Sequence, residues 1–318
     1  MFLKPVLPTD TQDADRAWDW LTALSPVLLM MVVNYGLSAV LAVLCATIGC
    51  LAASALWRLA RVTAFRPVIS LVCGVLATCC LPAAAPAWVA LLAGLFGGVV
   101  GGIPMGINAA LRKPLLVCPV YLPALSGYLL VRQWFGARLV GATVPTMWTP
   151  PDTVAGATPL AALNSGGVSE ERLGWMFWGF DVGSMGSGPV LALLLGGAFV
   201  LLRRRAHVAS PVAMLAVIAL AFQWSMAAPA YGLLAGGTVL AALLLGDGVL
   251  IRVGWKGHLT AGVLGGLSVV LVRLRFGVDG AAVGVLTACL LTTVLGVVYR
   301  RLHAPMMKML QKIIKSEN

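Results

Sequence analysis

GFDVGSMGSGPVLALLLGGAFVLLRRR, residues 179–205, is an apolar run that stops at three consecutive arginines. Extended back to Met176, it carries one charge, Asp181, before Arg203. A mostly apolar stretch of about 17–25 residues is long enough to cross the hydrocarbon core of a bilayer as a helix. Arginines collect at the cytoplasmic end of such spans, so this one runs from outside to inside. Its first part is different in kind. Gly183, Ser184, Gly186, Ser187, Gly188 and Pro189 are too dense for an undisturbed helix, and a locally opened segment is expected there.

Working outward, comparable runs lie near residues 18–36, 37–57, 67–85, 87–107, 115–131, 208–226, 230–251, 257–272 and 280–299, which with 176–202 makes ten spans. Short uncharged breaks, NYG (34–36), LPAAAP (81–86) and AAPAYG (227–232), separate three of the pairs. Composition agrees. Of 318 residues 60% are hydrophobic and 10% charged, with a mean hydropathy of +0.96, whereas soluble domains have roughly 25% charged residues. The 36 glycines suit close helix packing in lipid better than a β-barrel. Asp10, Asp13, Asp15 and Asp19 precede any apolar run, so the start does not read as a cleavable signal peptide.

The net charge of +11 would suggest nucleic acid until its residues are placed. Lys4 and Arg16, Arg58 to Arg66, Arg112 and Lys113, Arg203 to Arg205, Arg252 and Lys256, and the five from Arg300 onward all fall on one side of the expected topology. Only Arg132, Arg138, Arg172, Arg273 and Arg275 fall on the other. These are loop anchors rather than a binding patch, so no nucleic-acid partner is expected. Both termini are placed in the cytoplasm, and the one long loop, 132–175, outside. The chain then divides into a five-span half with a short N-terminal segment (1–131), the loop (132–175), a second five-span half (176–301) and a basic amphipathic tail (302–318) that suits the membrane surface. Five spans on each side of the loop would make related halves an inverted repeat.

Chemistry-bearing residues are few. Cys45, Cys50, Cys73, Cys79, Cys80, Cys118 and Cys289 fall in or beside spans without a CxxC pair or an accompanying histidine, so they read as small hydrophobes and no metal site is expected. His207, His258 and His303 fall on cytoplasmic segments and read as interfacial. Asp247, in LLLGDGVL (243–250), is a carboxylate at the inner end of the eighth span. Such a group is either an ion-coupling residue or solvated near Arg252, and Asp181 has the same ambiguity at the outer side. GLFGGVVGGIPMG (94–106) reads as a helix-packing surface. No Ser–His–Asp set, paired catalytic carboxylates or phosphate loop can be assembled.

The loop contains PDTVAGATPLAAL (151–163), small and polar where its surroundings are apolar. Its DTVAGAT resembles a flavinylation site, with Asp152 as recognition residue, small Gly156 and Ala157, and Thr158 as acceptor. The following Pro159 and apolar run, the glycine-rich 179–205 and YLPALSGY (121–128) together resemble the RnfD component of the Rnf electron-transport complex and its relative NqrB, from the sodium-pumping NADH:quinone oxidoreductase. The sequence departs from that pattern at Ala155, Leu122 and Ser187, and it keeps only the aspartate of a family segment at Gly246-Asp247-Gly248.

The resemblance implies an all-α polytopic membrane protein with ten transmembrane helices in an inverted 5+5 repeat like that of urea transporters, in the bacterial inner membrane. It implies FMN moved by a flavin transferase onto Thr158 as a phosphoester, on the periplasmic side. A second, noncovalent flavin (riboflavin or FMN) or an ion would sit near Gly183, Ser184 and Gly186. The partners implied are the Fe–S and flavin subunits of a complex relaying electrons between ferredoxin and NAD, coupled to Na⁺ or H⁺ movement, with no stand-alone catalysis. A non-redox channel or transporter of the same fold, and a structural scaffold within a complex, are the alternatives.

Overall fold

The computed structural model describes residues 10–61, 67–81, 85–111, 127, 129, 170–180, 185–186, 188–203, 207–226, 229–235, 237–246, 255–276 and 291. Ten helices form among them: α1 (Asp10–Tyr35), α2 (Leu37–Leu59), α3 (Pro67–Cys80), α4 (Ala87–Leu111), α5 (Glu170–Trp178), α6 (Val190–Leu202), α7 (Ala209–Met226), α8 (Pro229–Leu234), α9 (Thr238–Leu245) and α10 (Trp255–Phe276). No strand occurs among the described residues. These are not the ten expected spans one for one. The expected eighth span is built from two helices, α8 with α9, whereas the expected sixth holds α6 and only residues 176–178 of α5, which begins at Glu170 within the expected loop. The fifth and tenth spans lie outside the described residues apart from Gly127, Leu129 and Leu291, and so does the tail.

The burial pattern is that of a membrane protein. On α2 the buried face is Ala39, Ala42, Ala46, Gly49, Cys50 and Ala53, whereas Leu37, Leu41, Leu44, Ile48, Leu56 and Leu59 are exposed. A soluble helix buries its large apolar residues. Lipid removes that drive, and small residues face inward because they let backbones approach. Exposed tryptophans stand near helix ends, Trp18, Trp88, Trp178, Trp224 and Trp255, where an amphipathic ring meets the headgroup region. Ala14–Tyr35, Leu37–Leu59 and Trp255–Arg275 are long and apolar enough to cross a membrane. Pro67–Cys80, Ala87–Gly102, Val190–Leu202 and Ala209–Ser225 are shorter apolar helices.

α1 runs through Pro26, whose ring supplies no N–H for the Thr22 carbonyl. The Ser25 hydroxyl donates to that carbonyl at 2.7 Å instead, which is how a proline is tolerated where water is scarce.

Two close helix pairs organise the packing. α2 lies along α4, and α7 along α10. In the first pair a Cβ on Gly94 would meet the Ala46 carbonyl, one on Gly98 the Ala53 Cβ at 2.6 Å, and one on Gly102 the Trp57 ring. The GLFGGVVGGIPMG cluster is therefore a packing surface, as its four-residue spacing leads one to expect. The second pair repeats the device: a Cβ on Gly262 would meet the Ser210 carbonyl, and one on Gly266 the Val217 Cβ at 2.8 Å. α3 packs against α1, α2 and α4, and α9 against α6, α7 and α10. Most residues of α3 and nearly all of α9 are buried. α1 crosses α6 with Gly196 against the Ala23 carbonyl, and the contact is closed by Arg203 donating to Asp19 at 3.0 Å.

Candidate functional site

Asp152, Gly156, Ala157 and Thr158, together with Asp181, Gly183, Ser184 and Asp247, lie outside the described residues. Of the sequence-predicted site residues Gly186 is described. It belongs to the opened segment between α5 and α6, and the break expected there is present.

α5 closes with the amides of Gly179 and Phe180 both donating to the Trp175 carbonyl at 2.9 Å. Gly179 then adopts φ +90°, and a Cβ there would stand 2.6 Å from Pro189. Only glycine satisfies both conditions. The segment is tied to the first half at three points. Asn34 Nδ2 donates to the Gly179 carbonyl at 2.7 Å, the Met185 amide to Leu81 at 2.8 Å, and the Gly186 amide to Cys79 at 3.0 Å. The last two satisfy carbonyls left over at the end of α3. Gly186 is thus engaged with Cys79, whose Sγ lies 2.5 Å from where a Cβ would stand, so its amide is not offered to a ligand.

A second break separates α8 from α9 within the expected eighth span. Gly237 takes φ +70°, and the Thr238 hydroxyl lies within donating distance of the carbonyls of Gly232, at 3.1 Å, and Ala235, at 2.7 Å. Arg273 of α10 adds charged donors to the same carbonyls. Nη1 reaches Gly232 O at 2.8 Å, and Nη2 reaches Ala235 O at 2.9 Å and Thr238 Oγ1 at 2.7 Å. Its Cζ stands 5.9 Å from the Phe222 ring, and the side chain is 3% exposed. Read as an outer-surface anchor, Arg273 is instead an internal group. The expected span ended at 272, but α10 continues to Phe276 and carries Arg273 into the stripe of Gly262, Gly266 and Val269. That four-residue spacing was the available signal.

His258 is also misplaced by an interfacial reading. It lies four residues before Gly262 on the same stripe and is 1% exposed. Its ring stacks on His207, with centroids 4.0 Å apart and a 33° tilt. The His207 amide donates to the Gly246 carbonyl at 2.6 Å, which joins the start of α7 to the end of α9. Asp247 follows Gly246 directly in the chain.

Among the described residues, Cys45, Cys50, Cys73, Cys79 and Cys80 are free, and no group of three metal-ligating side chains occurs. The Cys50 thiol points to the Gly94 carbonyl at 3.2 Å, inside the α2–α4 contact.

A profile of the NQR2, RnfD, RnfE family matches residues 3–304. The D component of the ion-translocating oxidoreductase complex of Mannheimia succiniciproducens is 32% identical over 167 residues, 48% of this chain and 47% of the relative. The B component of the Na⁺-translocating NADH-quinone reductase of Azotobacter vinelandii is 34% identical over 169 residues, 48% of this chain and 41% of the relative. The same component from Pseudomonas aeruginosa PAO1 is 40% identical over 87 residues, 26% of this chain and 21% of the relative. The chain thus spans about half the length, or less, of the curated relatives it matches.

Proposed function

Because the chain belongs to the NQR2, RnfD, RnfE family, we propose that it is a membrane subunit of an Rnf-type, ion-translocating ferredoxin:NAD oxidoreductase, with FMN attached covalently at Thr158. One coincidence carries this reading. A family match over nearly the whole chain meets an Asp152…Gly156-Ala157-Thr158 motif in its one long non-apolar segment. Attachment needs a hydroxyl nucleophile between small neighbours. The Thr158 oxygen attacks the flavin-side phosphorus of FAD, the pyrophosphate bond breaks, AMP leaves, and the hydroxyl proton passes to solvent. Once bound, the flavin supplies electron relay, and the protein supplies its tether and position.

The chain is placed in the bacterial inner membrane with both termini cytoplasmic and residues 132–175 periplasmic, on the strength of the basic-residue asymmetry. Its halves are taken as an inverted repeat. Exchanging the first span with the sixth, the second with the seventh, the third with the eighth and the fourth with the ninth carries one set of contacts onto another. α2–α4 becomes α7–α10, α2–α3 becomes α7 with α8 and α9, α3–α4 becomes α9–α10, and α1–α3 becomes α6–α9. A second, noncovalent flavin would attach to Gly183 and Ser184, since Gly186 is committed to Cys79. Asp247 is the ion-coupling candidate. The remaining subunits, with Fe–S and flavin centres, are the expected partners.

The test is co-expression with an active flavin transferase, followed by a denaturing gel viewed under ultraviolet light. The wild-type band should fluoresce and the Thr158→Val band should stay dark. A dark wild-type band would remove the flavin reading and advance a channel, transporter or scaffold of the same fold.

A further inference from the structure

His207 and His258 form a pair that the flavin reading does not use. His258 is buried, and neither Nδ1 nor Nε2 has a hydrogen-bond partner among the described residues. A neutral imidazole offers one donor and one acceptor, so leaving both unmet inside a protein is a cost that packing alone does not explain. His207 is exposed and stacks on it with centroids 4.0 Å apart. Its own amide is bonded to the Gly246 carbonyl at 2.6 Å. The ring stack and this hydrogen bond therefore hold the start of α7 to α9 and α10 at one point.

The surroundings contain little else that titrates. α7 and α9 carry no ionisable side chain. On α10, Lys256 holds its Nζ over the Trp255 ring, and Arg273 and Arg275 stand at the far end of the helix. Arg203, at the end of α6, is paired with Asp19. Arg204, Arg205, Asp247 and Arg252 adjoin these elements in the chain and lie outside the described residues.

We propose that His207 and His258 are a proton-binding pair that fastens the ends of α7, α9 and α10 while at most one ring is charged and releases them when both are. Two imidazolium rings at this separation repel at close range in a poorly hydrated setting. Charging both drives the rings apart, and the His207–Gly246 hydrogen bond opens with them. In the orientation proposed above this end faces the cytoplasm, so the ligand is a proton taken from that side.

Hydrogen–deuterium exchange of the full-length chain in lipid nanodiscs tests this, following peptides over 207–215 at about pH 3.5 and about pH 8, the lower acidic enough to charge an imidazole that burial disfavours. After correction for intrinsic exchange rates, wild type should exchange about tenfold or more faster at the lower pH. His207→Gln should lose that acceleration, and so should His258→Gln. His207 is exposed, so its variant decides the matter if the His258 variant does not fold. Equal corrected exchange at both pH values in wild type, or acceleration undiminished in His207→Gln, overturns the proposal. The readout involves no flavin and stands apart from the fate of Thr158.

Discussion

α3 and the α8–α9 element occupy matching places, each buried beside a close helix pair, yet they are built differently. α3 is an unbroken helix of 14 residues. Gly74 lets it approach Thr47 of α2, and the Thr78 hydroxyl donates back to Gly74 O at 2.9 Å. Its terminal carbonyls are met by the amides of Met185 and Gly186. The other element is interrupted at Gly237, and the carbonyls beside the break are met by a guanidinium together with the Thr238 hydroxyl. The same shortage, unpaired backbone acceptors away from water, has been solved once with backbone and once with a buried cation. The first solution leaves a neutral, replaceable contact. The second places a buried charge at the break, so its loss should be felt more strongly.

Substitutions test that contrast. Arg273→Met should be the most damaging, because Gly232 O and Ala235 O lose charged donors together. A loss of about 3–6 kcal/mol is expected for two charge-assisted hydrogen bonds, read from unfolding of the detergent-solubilised chain by sodium dodecyl sulfate. A variant as stable as wild type would show that the break does not depend on the cation. Gly94→Ala and Gly262→Ala come next, since each places a Cβ against a facing carbonyl. Each should cost about 1–3 kcal/mol. Damage in one pair alone would break the likeness between α2–α4 and α7–α10.

The threonines give a finer comparison. Thr78→Val removes one neutral hydrogen bond and should cost about 1 kcal/mol. Thr238→Val also removes an acceptor of Arg273, so its cost should be larger, about 1.5–3 kcal/mol. Equal costs would mean that the cation adds nothing at this point. Smallest of all, Gly174→Ala meets nothing within 4 Å and lies in α5, so it should be neutral or stabilise by up to about 1 kcal/mol. A destabilisation there would place an unseen surface over α5.

Much of the framework was legible in the chain. The apolar runs marked most of the helices, the spacing of Gly94, Gly98 and Gly102 marked a packing surface though not its partner α2, and the density of small residues after Asp181 marked the opened segment. His258 and Arg273 were not legible as internal groups. Their charge or polarity argued for the surface, and only the continuation of α10 to Phe276 and its pairing with α7 brings them inside.

Hydropathy and charge by themselves determined that this is a helical membrane protein, because a bilayer imposes length and polarity on each span separately. The motif ending at Thr158 was likewise a local property of the chain. The tertiary structure alone decided which carbonyls each break exposes and which side chains answer them. That depends on contacts between residues far apart in sequence, Arg273 with Gly232 and Gly186 with Cys79, which no local pattern encodes.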